Sequence, residues 1–112
     1  MGYRSDVKVI IKKNDYERMQ KELVENELFK YAIVKEVSKI DGIILEWQDI
    51  KWYTEYKEVA EIENFITNLD IYKFIRLGED YEDIEIMSNA GKDNEYEFID
   101  TIDVIRYIDE YI

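Results

Sequence analysis

The side chains of this chain that could do chemistry are carboxylates, and they concentrate between positions 79 and 85. Five acids occupy seven positions there: Glu79, Asp80, Glu82, Asp83 and Glu85. Two convergent carboxylates can hold a hard cation such as Mg²⁺, which prefers oxygen ligands. A calcium loop of the EF-hand type also needs a glycine at its sixth position, and the stretch that begins at Asp80 lacks it. We therefore assign no metal ligands, and Mg²⁺ held by Asp83 and Glu85 stays an alternative.

Most other catalytic chemistries are excluded by composition. The chain has neither histidine nor cysteine, so it has no imidazole-activated nucleophile, no thiolate and no sulfur-ligated metal. Its four glycines stand at 2, 42, 78 and 91 and form no phosphate-binding loop. Catalysis by two carboxylates, as in glycosidases, needs a substrate groove for which a domain of this size leaves little room. We assign no catalytic residue and no cofactor.

Two interpretations of the acids remain beside metal binding. In the first they keep a surface hairpin solvated. In the second they imitate nucleic acid, because side chains two residues apart on a strand stand about 6 to 7 Å apart, as phosphates do. A helix predicted further upstream adds an acidic stripe: Glu55, Glu58 and Glu61.

Charge is distributed unevenly along the chain, whose formal net charge is −12. Residues 1–40 carry nine basic and seven acidic side chains, whereas residues 41–112 carry six and twenty. Such a surface repels phosphate backbones and anionic lipid, so we expect neither direct nucleic-acid binding nor membrane binding. It attracts the basic surface of another protein, and we predict a partner of that kind.

Length and hydropathy predict one domain over residues 1–112. A chain of 112 residues buries about 65% of the surface of its unfolded form, enough for a two-layer core. No hydrophobic stretch has the length of a signal peptide or a membrane span, so we expect a cytoplasmic protein.

Periodicity predicts the first half of the fold. Apolar residues alternate over 6–12, which is typical of a half-buried strand. A helix over 15–28 follows, with Asn14 as its N-cap. Asp41-Gly42 between two apolar segments predicts a hairpin with a type I′ turn. The apolar residues then change parity, which predicts a bulge or bend near Gln48-Asp49.

The second half of the chain is predicted by the same signals. Thr54 caps a second helix, whose buried stripe is Val59, Ile62, Ile66 and Leu69. There follow a strand over 72–77, a turn over 78–81, a strand over 83–87 and a loop over 88–94. The tail, 95–112, fits a helix or a strand, and its content of Ile, Val and Tyr favours strand. The order is that of a ferredoxin-like β-α-β-β-α-β two-layer sandwich of the α+β class, with an added C-terminal β-hairpin.

Three short motifs resemble a known family. The segments GYRSDV at 2–7, IKWY at 50–53 and FIRLGED at 74–80, with Asp83 just beyond, are similar to those of small acidic proteins encoded by phages, prophages and Gram-positive bacteria. The resemblance runs from Gly2 to about Glu85. It implies an accessory product of a mobile element. Many such products block a host or defence protein, and some are anti-CRISPR or DNA-mimic inhibitors.

Aromatic and basic residues of these motifs have structural interpretations. Trp47 and Trp52 suit the core, whereas Tyr53 and Tyr56 suit the surface. Arg4 and Arg76 suit ion pairs, and a pair of Arg76 with Asp6 on a neighbouring strand is one example.

The sequence thus predicts a protein that acts by binding, through Glu79, Asp80, Glu82, Asp83, Glu85, Glu55, Glu58 and Glu61. Inhibition of a nucleic-acid-handling protein is one form of this function. The alternatives are a small Mg²⁺-dependent or carboxylate enzyme and a homo-oligomeric structural module.

Overall fold

A computed structural model of the protein describes residues 2–104. Its elements are β1 (Ser5–Lys12), α1 (Lys13–Glu22), α2 (Glu27–Lys30), β2 (Ile33–Val37), β3 (Gly42–Ile50), α3 (Lys57–Thr67), β4 (Ile71–Gly78), β5 (Ile84–Ala90) and α4 (Tyr96–Ile99). The strands form one antiparallel sheet in the order β2-β3-β1-β4-β5. The fold is therefore of the α+β class, as the sequence predicts. Among the described residues, no helix is both long and apolar enough to cross a membrane.

The main core lies between one face of this sheet and the two longer helices. β1 is central, and its alternation places Val7, Val9 and Ile11 on that face with no exposed surface. Met19 of α1 and Ile62 of α3 pack against them, also fully buried. The predicted stripe of α3 is confirmed, since all four of its residues belong to this core. Trp47 and Trp52 are buried there too, as predicted.

The predicted bulge in the long third strand is present. Ser5 pairs with Ile50 and Val7 pairs with Trp47, so β3 contains one residue more than β1 between these pairs. Asp49 takes a positive φ of 54° at this point. The bulge lets β3 change the face that its apolar residues occupy.

Several predicted boundaries are wrong. The hairpin of β2 and β3 exists, but a 3-10 turn over Ser38–Ile40 connects the strands and Asp41 alone takes a positive φ there, so the turn is not type I′. The helix predicted over 15–28 is two helices, and α1 begins directly after β1, so Asn14 is not its cap. Likewise α3 begins after Tyr56, and Thr54 does not cap it.

The C-terminal part of the described chain covers the second face of the sheet. Phe98, Ile99 and Ile102 are buried against Ile10 and Ile75. The strand favoured for the tail is wrong where the structure describes it, because α4 is helical there. β5 also extends through three residues that were predicted as loop. The first strand of the added hairpin is therefore present as β5. Residues 95–104 do not form the second strand, and residues 105–112 lie outside the described residues.

Candidate functional site

Three segments that are distant in sequence meet at one corner of the molecule. The hydroxyl of Tyr3 donates to Oδ2 of Asp83 at 2.6 Å, and the backbone N–H of Tyr3 donates to the hydroxyl of Tyr53 at 2.7 Å. The N-terminal segment thereby joins the turn between β4 and β5 to the segment after β3. We call this region the acidic corner and define it as residues 3–5, 52–55 and 76–85.

Arg76 is the centre of the acidic corner. Its guanidinium binds both oxygens of Asp83, at 2.9 and 3.2 Å, and its Nε donates to Oε1 of Glu85 at 2.9 Å. It also donates to Oγ of Ser5 at 3.0 Å. The hydrogen bond with Asp83 is the main reason that the pKa of Arg76 is raised. The predicted ion pair of Arg76 exists, but its partners are these two acids; Asp6 instead accepts from the N–H of Asp49 at 2.8 Å.

Strand register places these partners. Arg76 lies directly opposite Glu85 in the pairing of β4 with β5, so both side chains emerge on the same face. The turn between β4 and β5 brings Asp83 alongside Arg76. It is closed by the N–H of Gly78, which donates to the carbonyl of Asp83 at 2.8 Å. A Cβ at position 78 would collide with the Asp83 carboxylate and the Tyr3 hydroxyl. Glycine is therefore required here for close approach.

A cavity of about 320 Å³ opens beside Arg76, and among its lining residues are Trp52, Tyr53, Glu55, Glu63, Asp83 and Glu85. Four of these residues are acids, against the one guanidinium. The indole N–H of Trp52 donates to Oε2 of Glu63 at 2.7 Å. Burial raises the pKa of Glu63, the Trp52 hydrogen bond lowers it, and nearby Glu85 raises it again. The cavity is a negatively charged recess with aromatic walls.

The predicted binding residues fall into three groups. Glu79 and Glu82 are exposed on the turn, together with Asp80, and Glu79 accepts the backbone N–H of Arg4 at 2.5 Å. Asp83 and Glu85 turn inward to Arg76 and are only partly exposed. Carboxylates committed to a guanidinium make poor substitutes for phosphates, so this pair does not carry a nucleic-acid-like surface.

The third group lies on or near α3. Glu55 is exposed at the mouth of the cavity. Glu61 lies instead beside the start of α2, where Asn26 donates to its Oε1 at 2.9 Å. Asn26 also donates to the backbone carbonyl of Glu58 at 3.1 Å, and Glu58 itself is exposed. The acids predicted as one stripe therefore divide between two places.

Sequence reasoning did not identify Tyr3, Ser5, Glu63 and Gly78 as parts of this site. A signal was available for three of them, because Tyr3, Ser5 and Gly78 stand inside the short motifs. Glu63 lies outside the motifs, in the middle of α3, and its position depends on how that helix packs. The convergence of the motifs becomes visible when the sheet is assembled.

The chemistry available to this site is recognition of positive charge. Within residues 2–104 the acids form no group of three or more that could hold a metal ion. The exposed acids Glu55, Glu79 and Glu82 make no ion pair with any described Lys or Arg. As a whole the acidic corner contains six acids and two arginines, a formal net charge of −4. Such a surface favours cationic groups.

Comparison of the chain with protein-family models, with curated proteins and with solved structures found no match.

Proposed function

We propose that this protein acts by binding a basic surface of another protein through the acidic corner. The observation that carries the proposal is the set of exposed acids Glu55, Glu79 and Glu82, which make no ion pair with the described cations. No described Lys or Arg lies within ion-pair distance of them to cancel their field. A cationic surface that approaches them gains charge complementarity, which raises the rate of association and selects the partner.

The hydrogen bonding of the acidic corner supports the same proposal. Tyr3, Tyr53 and Arg76 tie three backbone segments together with hydrogen bonds of 2.6 to 3.2 Å. Exposed acids that stand on a fixed backbone lose less conformational entropy on binding than acids of a mobile loop. The ion pairs of Arg76 therefore serve the site by holding its shape.

We also infer that the sheet and helices form the ferredoxin-like arrangement. The four strands β2-β3-β1-β4 are antiparallel, and α1 and α3 follow β1 and β3 along the chain. Both helices contribute to the one core on the first face of the sheet. This order supports two interlocked β-α-β units, with β5 as an additional strand.

The biological setting is inferred from the motifs. Their resemblance to small acidic proteins of phages, prophages and Gram-positive bacteria supports an accessory protein of a mobile element that acts in the cytoplasm. Cytoplasmic proteins with extended basic surfaces are in large part those that handle nucleic acids. We propose that the partner belongs to that class and that binding inhibits it, as an anti-CRISPR protein or another inhibitor of a defence or host enzyme would.

Affinity capture tests this function. The protein is immobilised and exposed to a lysate of a Gram-positive bacterium at about 50 mM salt, then eluted with a gradient to about 500 mM. Two variants are treated in parallel: a corner variant with Glu55→Gln, Glu79→Gln and Glu82→Gln, and a control variant with Glu17→Gln, Glu25→Gln and Glu97→Gln. All six residues are exposed, and both variants lose three negative charges.

We expect one basic protein to be retained by the natural sequence and by the control variant and to be lost by the corner variant. Retention by all three proteins would mean that binding depends on another surface, and equal loss by the two variants would mean that it depends on net charge. Retention by none would contradict the proposed function.

A further inference from the structure

The edge strand β5 exposes apolar side chains on the second face of the sheet. Ile84 and Ile86 are 42% and 50% exposed. Phe98, Ile99 and Ile102 pack against β1 and β4, and these described residues leave the two isoleucines open. Half-exposed isoleucines at the edge of a sheet are typical of a surface that pairs with another strand.

Hydrogen-bond parity shows which peptide groups of β5 point outward. Gly78 and Asp83 are paired by a backbone hydrogen bond, and bonding alternates along an antiparallel ladder. The odd-numbered residues of β5, such as Met87, therefore bond to β4. Ile86 and Ser88 direct their N–H and C=O groups away from the sheet, where no other described strand lies.

The two faces of β5 differ in charge. Ile84 and Ile86 share one face, whereas Glu85 lies on the other. Arg76 binds Oε1 of Glu85, but the Glu85 side chain is 44% exposed and its Oε2 accepts no hydrogen bond from a described residue. Glu82 stands at the start of the strand, in the turn. A strand that is added to this edge meets Ile84 and Ile86 on one face and Glu85, Met87 and Asn89 on the other.

We propose that β5 binds an extended segment of a partner protein by strand addition, and that this segment alternates apolar and basic residues. The inference rests on the proposed function and deepens it, because it names the form in which the basic partner binds. Outward N–H and C=O groups of Ile86 and Ser88 supply the main-chain bonds. The alternation on β5 supplies specificity, since a basic side chain falls beside Oε2 of Glu85, the oxygen that accepts no hydrogen bond from a described residue, and apolar side chains fall beside Ile86.

The opposite edge of the sheet and a second copy of the chain are less suitable. β2 carries Lys35 and Glu36, and an edge lysine is a common device against strand pairing. β5 contains no lysine, arginine or proline. Two chains of formal charge −12 repel each other, and pairing of β5 with its own copy brings no positive charge to Glu85.

A synthetic peptide probes the edge directly. The probe is an acetylated and amidated peptide of four lysines alternating with three valines, and the control peptide has the same composition with the lysines in one block. Binding is followed by amide hydrogen exchange. We expect the probe to slow the exchange of Ile86 and Ser88 by about tenfold or more, with little change at Met87, whose N–H is already bonded to β4. The blocked peptide should give no such pattern.

Two variants separate the edge from general electrostatics. Ser88→Pro removes an outward N–H without removing a bond to β4, and Ser88→Thr keeps that N–H. We expect Ser88→Pro to weaken the alternating peptide at least about fivefold and Ser88→Thr to leave it unchanged. If Ser88→Pro fails to fold, Ile86→Lys takes its place. This substitution alters no backbone group, and we expect it to weaken binding of the alternating peptide to the same extent.

The outcomes distinguish this inference from the function on which it rests. If Ser88→Pro and Ile86→Lys bind the partner captured from lysate normally while the corner variant does not, strand addition is wrong and the proposed function stands. Loss of binding by the edge variants and by the corner variant supports both. If the amide hydrogens of Ile86 and Ser88 exchange slowly without peptide, the inference is overturned. A doubled mass in solution would then show that a second copy occupies the edge. Faster exchange after removal of residues 105–112 would show that the chain's own C-terminus occupies it.

Discussion

The hydroxyl of Tyr3 donates a 2.6 Å hydrogen bond to Oδ2 of Asp83, a residue eighty positions further along the chain. The same hydroxyl accepts the backbone N–H of Asp80 at 3.1 Å. One phenol therefore holds both ends of the acidic turn. The bond to Asp83 raises the pKa of Tyr3, because a phenolate beside that carboxylate would lose the bond and gain repulsion.

Replacement of Tyr3 by phenylalanine should destabilise the protein more than the same change at an exposed tyrosine, because Asp83 and the N–H of Asp80 lose a hydrogen bond while the ring remains. Tyr96→Phe is the matched control, since Tyr96 is 59% exposed and its hydroxyl has no hydrogen bond among the described residues. Chemical denaturation near pH 7 measures the free energy of unfolding of both variants. Equal stabilities of the two variants would contradict the role of Tyr3.

Replacement of Arg76 by glutamine should have a larger effect, about 2 to 4 kcal/mol, because Asp83 and Glu85 then face each other without their cation. Lys30→Gln is the control: its ion pair with Glu27 joins side chains that are 55% and 70% exposed. Exposed pairs of this kind contribute at most about 1 kcal/mol. A loss for Arg76→Gln no greater than that for Lys30→Gln would mean that the ion-pair cluster does not hold the acidic corner together.

Replacement of Glu63 by glutamine should stabilise the protein near neutral pH. Burial raises the folded-state pKa of Glu63 above its unfolded value. Between those two pKa values the folded state binds more protons than the unfolded state, so this residue makes stability fall as pH rises through that window. Glutamine keeps an oxygen for the indole N–H of Trp52 and has no charge to bury.

The measurement for Glu63→Gln is its unfolding free energy relative to the natural sequence at about pH 4 and about pH 7. We expect the difference to move in favour of the variant as pH rises. Glu25→Gln, at an exposed position, controls for the loss of one negative charge. A difference that does not change with pH, or that moves the other way, contradicts the assigned environment of Glu63.

Sequence reasoning succeeded where local pattern determines structure. The alternation in β1 and the change of parity before Trp52 are properties of a few consecutive residues, and they predicted the central strand and the bulge at Asp49. The start of α1 was missed because a distant contact replaces a cap: the N–H of Lys13 donates to the carbonyl of Asp41 at 2.9 Å. A helix whose first amides are bonded by a neighbouring loop needs no capping side chain.

The site was harder to predict than the strands. Ile84 and Ile86 lie on one face of β5 and Glu85 on the other, an alternation that the sequence itself displays. Which face is open to solvent depends on how far α4 and the residues after it extend across the sheet. Similarly, the pairing of Arg76 with Glu85 depends on a register that the turn sets. Neither can be read from periodicity.

The central claim is that the exposed acids Glu55, Glu79 and Glu82 bind the partner. The most direct test is the dissociation constant of the captured partner for the natural sequence, the corner variant and the control variant, at about 50 and about 300 mM salt. We predict that the corner variant binds at least about tenfold more weakly at low salt and with a smaller salt dependence, while the control variant matches the natural sequence. Equal affinities for the two variants at about 50 mM salt would contradict the account.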